Sequence, residues 1–126
     1  MMYSHDYTTD YQPAMPLIEI GIGLERGASV ITLPAIVDSG ADATMVPLHY
    51  LHEMGAIPST EKWLRGITAG RYRVELYTIF VQIGSYGLYV AAVGDQLNDE
   101  IIVGRDILNQ FIVTLNGLAS IIEISQ

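Results

Sequence analysis

Asp38, Ser39 and Gly40 are the residues of this chain whose types and spacing are best suited to chemistry. The apolar run Ala35-Ile36-Val37 leads directly into them, and only small residues follow. Glycine accepts every backbone conformation and lets a second chain approach closely, while a serine hydroxyl can anchor a turn or reach a neighbour. The pattern favours a carboxylate that is held rigidly and yet stays reachable by a substrate.

A second stretch of similar character lies far downstream. The apolar residues 101–103 are followed by a glycine and then by Arg105 and Asp106, where a short helix can begin. Arginine offers a two-pronged donor that suits a carboxylate, and its most economical partner is Asp42, which otherwise lies uncompensated near Asp38. We expect this pair to pin the loop after Asp38 to the helix; the alternative is a surface ion pair of little energetic consequence. Asp106 suits the first turn of the helix rather than catalysis.

Length and composition indicate one folded domain. The chain has 126 residues, of which 50% are hydrophobic and 16% charged, so disorder is excluded for most of it. The absence of cysteine excludes disulfides and thiolate zinc sites. His49 and His52, with Glu53 beside them, have a spacing that superficially resembles a metal site, but a solvated helix face is the simpler interpretation. We therefore expect no metal and no cofactor.

The charge balance and the apolar runs limit the possible partners. A net charge of −8 with only six basic residues argues against nucleic acid, because few phosphates could be neutralised. No apolar run approaches the roughly 20 residues needed to cross a bilayer, and residues 1–13 show no secretory signal. We expect a cytoplasmic protein that binds neither membranes nor nucleic acid.

The elements that must position these residues are mostly strands. Alternating apolar residues predict strands at 17–24 and 72–83, and apolar runs predict others at 86–93 and 101–103. Pro34 lies inside a predicted strand that leads to Asp38, which indicates an edge or a bulge there. A short helix is expected at 48–54, and another at 105–110. Asn116-Gly117 is the strongest two-residue hairpin signal of the chain.

The two motifs together resemble those of the retropepsin-type aspartic proteases, the family of retroviral, retroelement and related cellular and bacterial proteases. Ala35-Ile36-Val37-Asp38-Ser39-Gly40-Ala41 resembles the catalytic loop of the family, and Ile102-Val103-Gly104-Arg105-Asp106-Ile107-Leu108 resembles its downstream segment. Residues 63–83 occupy the place of its flap hairpin. The resemblance implies a mainly β fold, the closed acid-protease barrel with one or two short helices. It covers a domain at residues 16–126, with residues 1–15 expected to form a polar, flexible tail.

The same resemblance implies an aspartic endopeptidase. Because one chain supplies a single Asp-Ser-Gly, the active form would be a homodimer in which two copies of Asp38 meet at a two-fold axis. Two carboxylates roughly 3 Å apart share one proton, so the pair can activate a water and protonate the leaving amine. Peptides or proteins are the implied substrates, and no covalent intermediate is needed.

The resemblance also assigns roles to residues around Asp38. Ser39 would bond across the axis, Gly40 and Ala41 would complete the scaffold, and residues 119–125 would interleave between the subunits. The residues expected to contact substrate are Gly40, Asp42, Gly66, Ile67, Thr68, Ala69 and Gly70.

Other interpretations stay open at this stage. Asp38 could simply cap a turn through its own backbone, and residues 66–70 could be an ordinary hairpin tip. The fold could serve as a non-proteolytic dimerisation or peptide-binding module. The domain could also be cut out of a longer polyprotein, although the initial Met1-Met2 favours a free-standing protein.

Overall fold

The computed structural model describes residues 2–28, 30–65 and 71–126. In these ranges the chain forms ten strands and two short helices. The strands of its first half are β1 (Met2–Asp6), β2 (Leu17–Gly23), β3 (Ile31–Val37), β4 (Met45–Pro47) and β5 (Thr60–Arg65). Those of its second half are β6 (Arg71–Ile83), β7 (Tyr86–Asp95), β8 (Ile101–Val103), β9 (Ile112–Asn116) and β10 (Ile121–Ser125). The helices are α1 (Leu48–Glu53) and α2 (Arg105–Leu108).

Six of these strands close into a barrel. They are hydrogen-bonded in the order β2-β3-β8-β4-β7-β6, and β2 also pairs with β6, which joins the two ends of the series. β5 extends the sheet on the far side of β6. The prediction of a mainly β, closed barrel with one or two short helices is confirmed.

The core of the barrel follows the alternation seen in the sequence. Ile18, Ile20 and Ile22 of β2 are fully buried, whereas Leu24, just past the end of the strand, is exposed. One face of β6 is buried in the same way. That face buries Tyr77, Ile79, Val81 and Ile83, and Val74 and Phe80 of the same strand are buried as well. Burial of such side chains away from water supplies the main driving force for closing the sheet.

Pro34 lies where its missing N–H can be tolerated. It is paired with Glu19 of β2, but β8 begins to pair with β3 only at the next residue, Ala35. The part of β3 that precedes Ala35 therefore has one neighbouring strand rather than two, which agrees with the prediction of an edge position. From Ala35 onward β3 and β8 run parallel and end together, at Val37 and Val103.

A separate three-stranded antiparallel sheet contains both ends of the chain. Its order is β1-β10-β9, so β10 has a partner on each side. Residues 1–15 were expected to form a polar, flexible tail; within them, Met2–Asp6 is a strand that pairs residue for residue with β10. Tyr3 is half-buried, and its hydroxyl accepts a hydrogen bond from the backbone N–H of Glu19. The tail is fixed by partners distant in sequence, which a local reading cannot reveal.

The hairpin between β9 and β10 has a longer connection than predicted. Its two strands are joined by four residues, 117–120, rather than by the pair Asn116-Gly117. Asn116 ends β9, and its side-chain oxygen accepts a hydrogen bond from the backbone N–H of Ala119. Ser120 takes a positive φ of 54°. The asparagine thus starts the turn instead of forming its centre.

Candidate active site

Asp38 lies directly after the parallel strands β3 and β8, at the point where both end. Its backbone N–H donates to the carbonyl of Val103 at 3.0 Å, so it prolongs the ladder by one bond. Its side chain is nevertheless exposed. The strands therefore hold the backbone of this residue while its carboxylate faces the outside of the single chain.

A tight turn orients the carboxylate of Asp38. The backbone N–H of Gly40 donates to its Oδ1 at 2.9 Å, and the N–H of Ala41 donates to its carbonyl at 3.1 Å. A Cβ on residue 40 would come within 3.1 Å of the same Oδ1. Among the described residues no hydrogen-bond donor reaches Oδ2. Oδ1 of Asp38 thus caps the turn, as one interpretation of the sequence expected. Oδ2 stays available for chemistry.

Arg105 joins the loop after Asp38 to helix α2. Its Nη1 donates to the carbonyl of Ser39 at 2.8 Å, and its Nη2 contacts Oδ1 of Asp42. Its own backbone N–H donates to the carbonyl of Ala41 at 2.9 Å. The ion pair between Arg105 and Asp42 that the sequence predicted is therefore present in the structure. It is solvent-exposed, because the side chains of Arg105 and Asp42 are 43% and 78% exposed.

Thr44 and Asp106 form a second link between the same loop and helix, and sequence reasoning missed it. The Asp106 carboxylate accepts from the backbone N–H of Thr44 at 3.0 Å and from its hydroxyl at 2.8 Å. The Thr44 hydroxyl in turn accepts from the N–H of Gly104 at 3.2 Å. Thr44 is fully buried, so all of these polar groups need their partners. A signal was available, because a buried threonine at the start of an apolar strand requires a partner for its hydroxyl.

Position 104 requires glycine because a side chain would not fit there, and not because of its backbone conformation. Its φ of −96° and ψ of −172° are open to any residue. A Cβ at this position would lie 2.7 and 2.8 Å from the carbonyl carbon and oxygen of Ala43, and 2.9 Å from the carbonyl oxygen of Ala41. The glycine therefore lets the loop after Asp38 lie directly against the start of α2.

A groove of about 510 Å³ lies along the barrel between β4, β6 and the segment after β7. Met45, Val93 and Asp95 are among the residues that line it, and Asp38 is not. Asp95 is buried, and its carboxylate accepts from the backbone N–H groups of Leu97 and Asn98. This carboxylate therefore folds the segment after β7 and is unlike that of Asp38, whose second oxygen is open.

Other sequence-derived candidates have simpler outcomes. Gly66, Ile67, Thr68, Ala69 and Gly70 lie outside the described residues, beyond the paired ends of β5 and β6. His49 lies on α1 beside Glu53, with both side chains more than half exposed, which agrees with a solvated helix face. In the part of the chain that the structure describes, no three His, Asp or Glu side chains cluster suitably for a metal ion. No helix of the described ranges is long and apolar enough to cross a membrane.

Comparison with protein families gives one match over most of the chain. The family described as retroviral aspartyl protease matches residues 12–116. The matched segment contains Asp38 and Arg105 together with the strands that position them. No curated protein matches the chain by sequence.

Solved structures of low sequence identity share the fold. A retropepsin-like aspartic protease from Rickettsia conorii is 13% identical, with a TM-score of 0.67 over 98% of this chain and 90% of that one. The EIAV protease in complex with an inhibitor is 15% identical, with a TM-score of 0.61 over 84% of this chain and 93% of that one. The simian foamy virus protease is 20% identical, with a TM-score of 0.56 over 75% of this chain and 92% of that one.

Proposed function

Because the chain belongs to the retroviral aspartyl protease family, we propose that it is an aspartic endopeptidase in which Asp38 acts with the Asp38 of a second copy. The observation that carries the proposal is the exposure and the hydrogen bonding of the Asp38 carboxylate. It stands exposed where the paired strands β3 and β8 end, with one oxygen held by Gly40 and the other open.

The reaction requires two carboxylates that share one proton. Two such groups roughly 3 Å apart cannot both be ionised, so one stays charged and takes a proton from a bound water. That water attacks the peptide carbonyl carbon, while the protonated partner donates to the carbonyl oxygen as charge develops there. When the intermediate collapses, the C–N bond breaks and the leaving amine receives a proton from the pair.

The residues next to Asp38 support this chemistry by holding it in place. Gly40 donates to its Oδ1, and Arg105 holds the carbonyl of Ser39 on the other side of the loop. We assign Ser39, Gly40 and Ala41 to the scaffold of the site, with the Ser39 hydroxyl bonding to the partner copy. Gly40 and Asp42 are assigned to contact with an extended peptide.

Peptide cleavage tests the proposal directly. Purified protein is incubated with a complex peptide mixture between about pH 3 and 7, a range that brackets proton sharing by a carboxylate pair, and products are identified by mass spectrometry. Asp38→Asn keeps an oxygen that can accept from Gly40, so the fold is preserved. We expect it to lower cleavage by about 100-fold or more, since general acid–base catalysis is lost.

The matched control is Glu53→Gln, which removes a carboxylate from an exposed position on α1 that is not part of the loop after Asp38. It should cleave as the unchanged protein does. Cleavage that survives Asp38→Asn would overturn the mechanism. Folded protein that binds peptides at every pH without cutting them would replace it with a peptide-binding module.

A further inference from the structure

A second cavity lies between the outside of the barrel and the first residues of the chain. Residues 5–11 form one wall of it, and parts of β2 and β3 form the other together with Glu100. Its volume is about 580 Å³, within the range of about 300–1,000 Å³ that is usual for ligand pockets. The family match begins at residue 12, so the first wall is built by residues that precede it.

The floor of this cavity is apolar. Leu17 of β2 and Ile36 of β3 are paired in the register, and both are half-buried. The next residue of β2, Ile18, is fully buried, so alternation along the strand turns Leu17 to the outer face, with Ile36 opposite it. Such a floor is suited to the hydrocarbon part of a long side chain.

The charged part of the lining is negative. Four of the lining residues are acidic and exposed, namely Asp6, Asp10, Glu19 and Glu100. None of the described residues that line the cavity is a lysine or an arginine. Carboxylates gathered around a cleft concentrate cations there. An apolar floor beside these carboxylates therefore suits a ligand that is both apolar and cationic.

Hydrogen bonds hold the N-terminal wall in place. The hydroxyl of Tyr11 donates to the carboxylate of Glu100 on the opposite wall. The backbone N–H of Tyr7 donates to the carbonyl of Ser120 at 2.8 Å. Both tyrosines line the cavity, and an aromatic ring attracts a cation over its face. The wall is thus fixed at two points and adds to the preference for a cation.

The cavity adjoins the strands that hold Asp38. Ile36 lies two residues before Asp38 on the chain, and Glu100 lies directly before β8. β8 ends at Val103, whose carbonyl accepts the hydrogen bond from the N–H of Asp38. Because a strand advances about 3.3 Å per residue, Ile36 is within about 7 Å of Asp38 along the chain, and a peptide bound at Asp38 reaches the cavity with a side chain roughly one to three residues from the cleaved bond.

We propose that this cavity binds a lysine or arginine side chain of the peptide substrate, and so selects peptides with a basic residue close to the cleaved bond. The hydrocarbon stem lies on Leu17 and Ile36. The cationic end lies among the carboxylates, of which Glu19 and Glu100 belong to the barrel side of the cavity. The inference rests on the proposed function, because it names the substrate class of that same site.

A charge-removing variant and its matched control test the cavity. Glu19→Gln/Glu100→Gln removes two carboxylates from the cavity and keeps the shape of the side chains. Glu25→Gln/Glu53→Gln makes the same replacement at two exposed glutamates that do not line it. Glu19→Lys/Glu100→Lys reverses the charge. Circular dichroism verifies the fold of each variant.

The readout is the cleavage preference. The peptide mixture is prepared with a protease that does not cut at basic residues, so that lysine and arginine stay inside the peptides. The position at which basic residues are enriched is then varied in one synthetic peptide, as lysine, glutamine or glutamate. The kcat/KM of cleavage is measured for each of the three peptides.

We expect the unchanged protein to prefer lysine over glutamine by about tenfold. The preference should fall below about twofold in Glu19→Gln/Glu100→Gln and stay unchanged in Glu25→Gln/Glu53→Gln. The charge-reversed variant should prefer glutamate, a result that damage to the fold would not produce. A preference for lysine that survives removal of the two cavity carboxylates would overturn the inference.

The outcomes separate this inference from the proposed function. Cleavage that depends on Asp38 but shows no preference for basic residues refutes the cavity and leaves the peptidase intact. If the unchanged protein cleaves no peptide, the proposed function fails, and NMR of the Leu17 and Ile36 methyl groups decides the cavity. Capped Ala-Lys-Ala must then shift these signals more than its norleucine analogue does, and equal shifts would refute the inference.

Discussion

Two acidic side chains tie the loop after Asp38 to helix α2, and they do so in opposite environments. Asp42 reaches from the loop to Arg105 of the helix, in an ion pair whose side chains are 78% and 43% exposed. Asp106 reaches from the helix to Thr44 of the loop, where the threonine is fully buried. The first link is open to water and salt, whereas the second is shielded from them at the fully buried Thr44, with Asp106 itself partly buried.

The difference indicates which link determines the shape of the site. An exposed ion pair contributes about 0–1 kcal/mol, since water and salt screen it. A buried hydrogen-bonded group that loses its partner costs about 1–3 kcal/mol, because its desolvation is no longer compensated. We therefore expect the link between Asp106 and Thr44 to hold the loop, with the pair between Asp42 and Arg105 as a weaker brace. Four substitutions test this ranking, from the largest expected effect to the smallest.

Gly104→Ala should have the largest effect, because it forces the loop away from the helix and strains both links together. Its Cβ would lie within 3.0 Å of backbone atoms of Ala43 and Ala41. We expect the free energy of unfolding to fall by about 2–4 kcal/mol, measured by urea denaturation. The control is Gly117→Ala, where a Cβ would meet nothing within 4 Å. Equal stability of the two variants would show that the contact at Gly104 can relax.

Asp106→Ala should come next, because it removes the acceptor for two donors of the buried Thr44. We expect a loss of about 2–3 kcal/mol in the free energy of unfolding. Asp106→Asn keeps one acceptor oxygen and should recover part of that loss. Thermal and urea unfolding give the stability, and the kcat of peptide cleavage reports whether the loop stays in position. A kcat unchanged in folded Asp106→Ala would refute the positioning role.

Thr44→Val should cost less, about 1–2 kcal/mol in the free energy of unfolding. The substitution keeps the shape but removes the hydroxyl that accepts from the N–H of Gly104 and donates to Asp106. Thr32→Val on β3 is the matched control, since Thr32 is exposed, and its stability should change by less than about 0.5 kcal/mol. Equal values for both variants would mean that the buried hydroxyl contributes nothing.

Asp42→Asn should have the smallest effect, about 0–1 kcal/mol, because the pair with Arg105 is exposed. The difference in unfolding free energy from the unchanged protein should shrink further as sodium chloride is added, since salt screens exposed charges. Urea titrations at low and high salt measure this. A loss larger than that of Asp106→Ala would reverse the ranking of the two links.

The sequence predicts the parts of this molecule whose cause is local. The alternation of Ile18, Ile20 and Ile22 marks a buried strand face, and an apolar run that ends in Asp38 marks the end of a strand. The pairing of Asp42 with Arg105 was predictable as well, because two complementary charges near the same motifs have few other partners.

The parts that were missed depend on contacts between distant residues. β1 has a polar sequence and is ordered by its pairing with β10, at the other end of the chain. Thr44 and Asp106 are joined across 62 positions, and the need of the Thr44 hydroxyl for a partner does not by itself identify Asp106 as that partner. The turn after β9 is longer than Asn116-Gly117 suggests, because the asparagine side chain bonds to Ala119 and opens the turn.

The pairing of β1 with β10 brings the two ends of the chain to one corner of the molecule. Met2 lies opposite Ser125 in the register, and facing Cα atoms of antiparallel strands are about 4.5–5.5 Å apart. A linker of a few residues would therefore close the backbone into a ring, with new ends opened in the turn at residues 84–85. Such a circular permutant would keep every strand in place while its outermost strand could no longer fray.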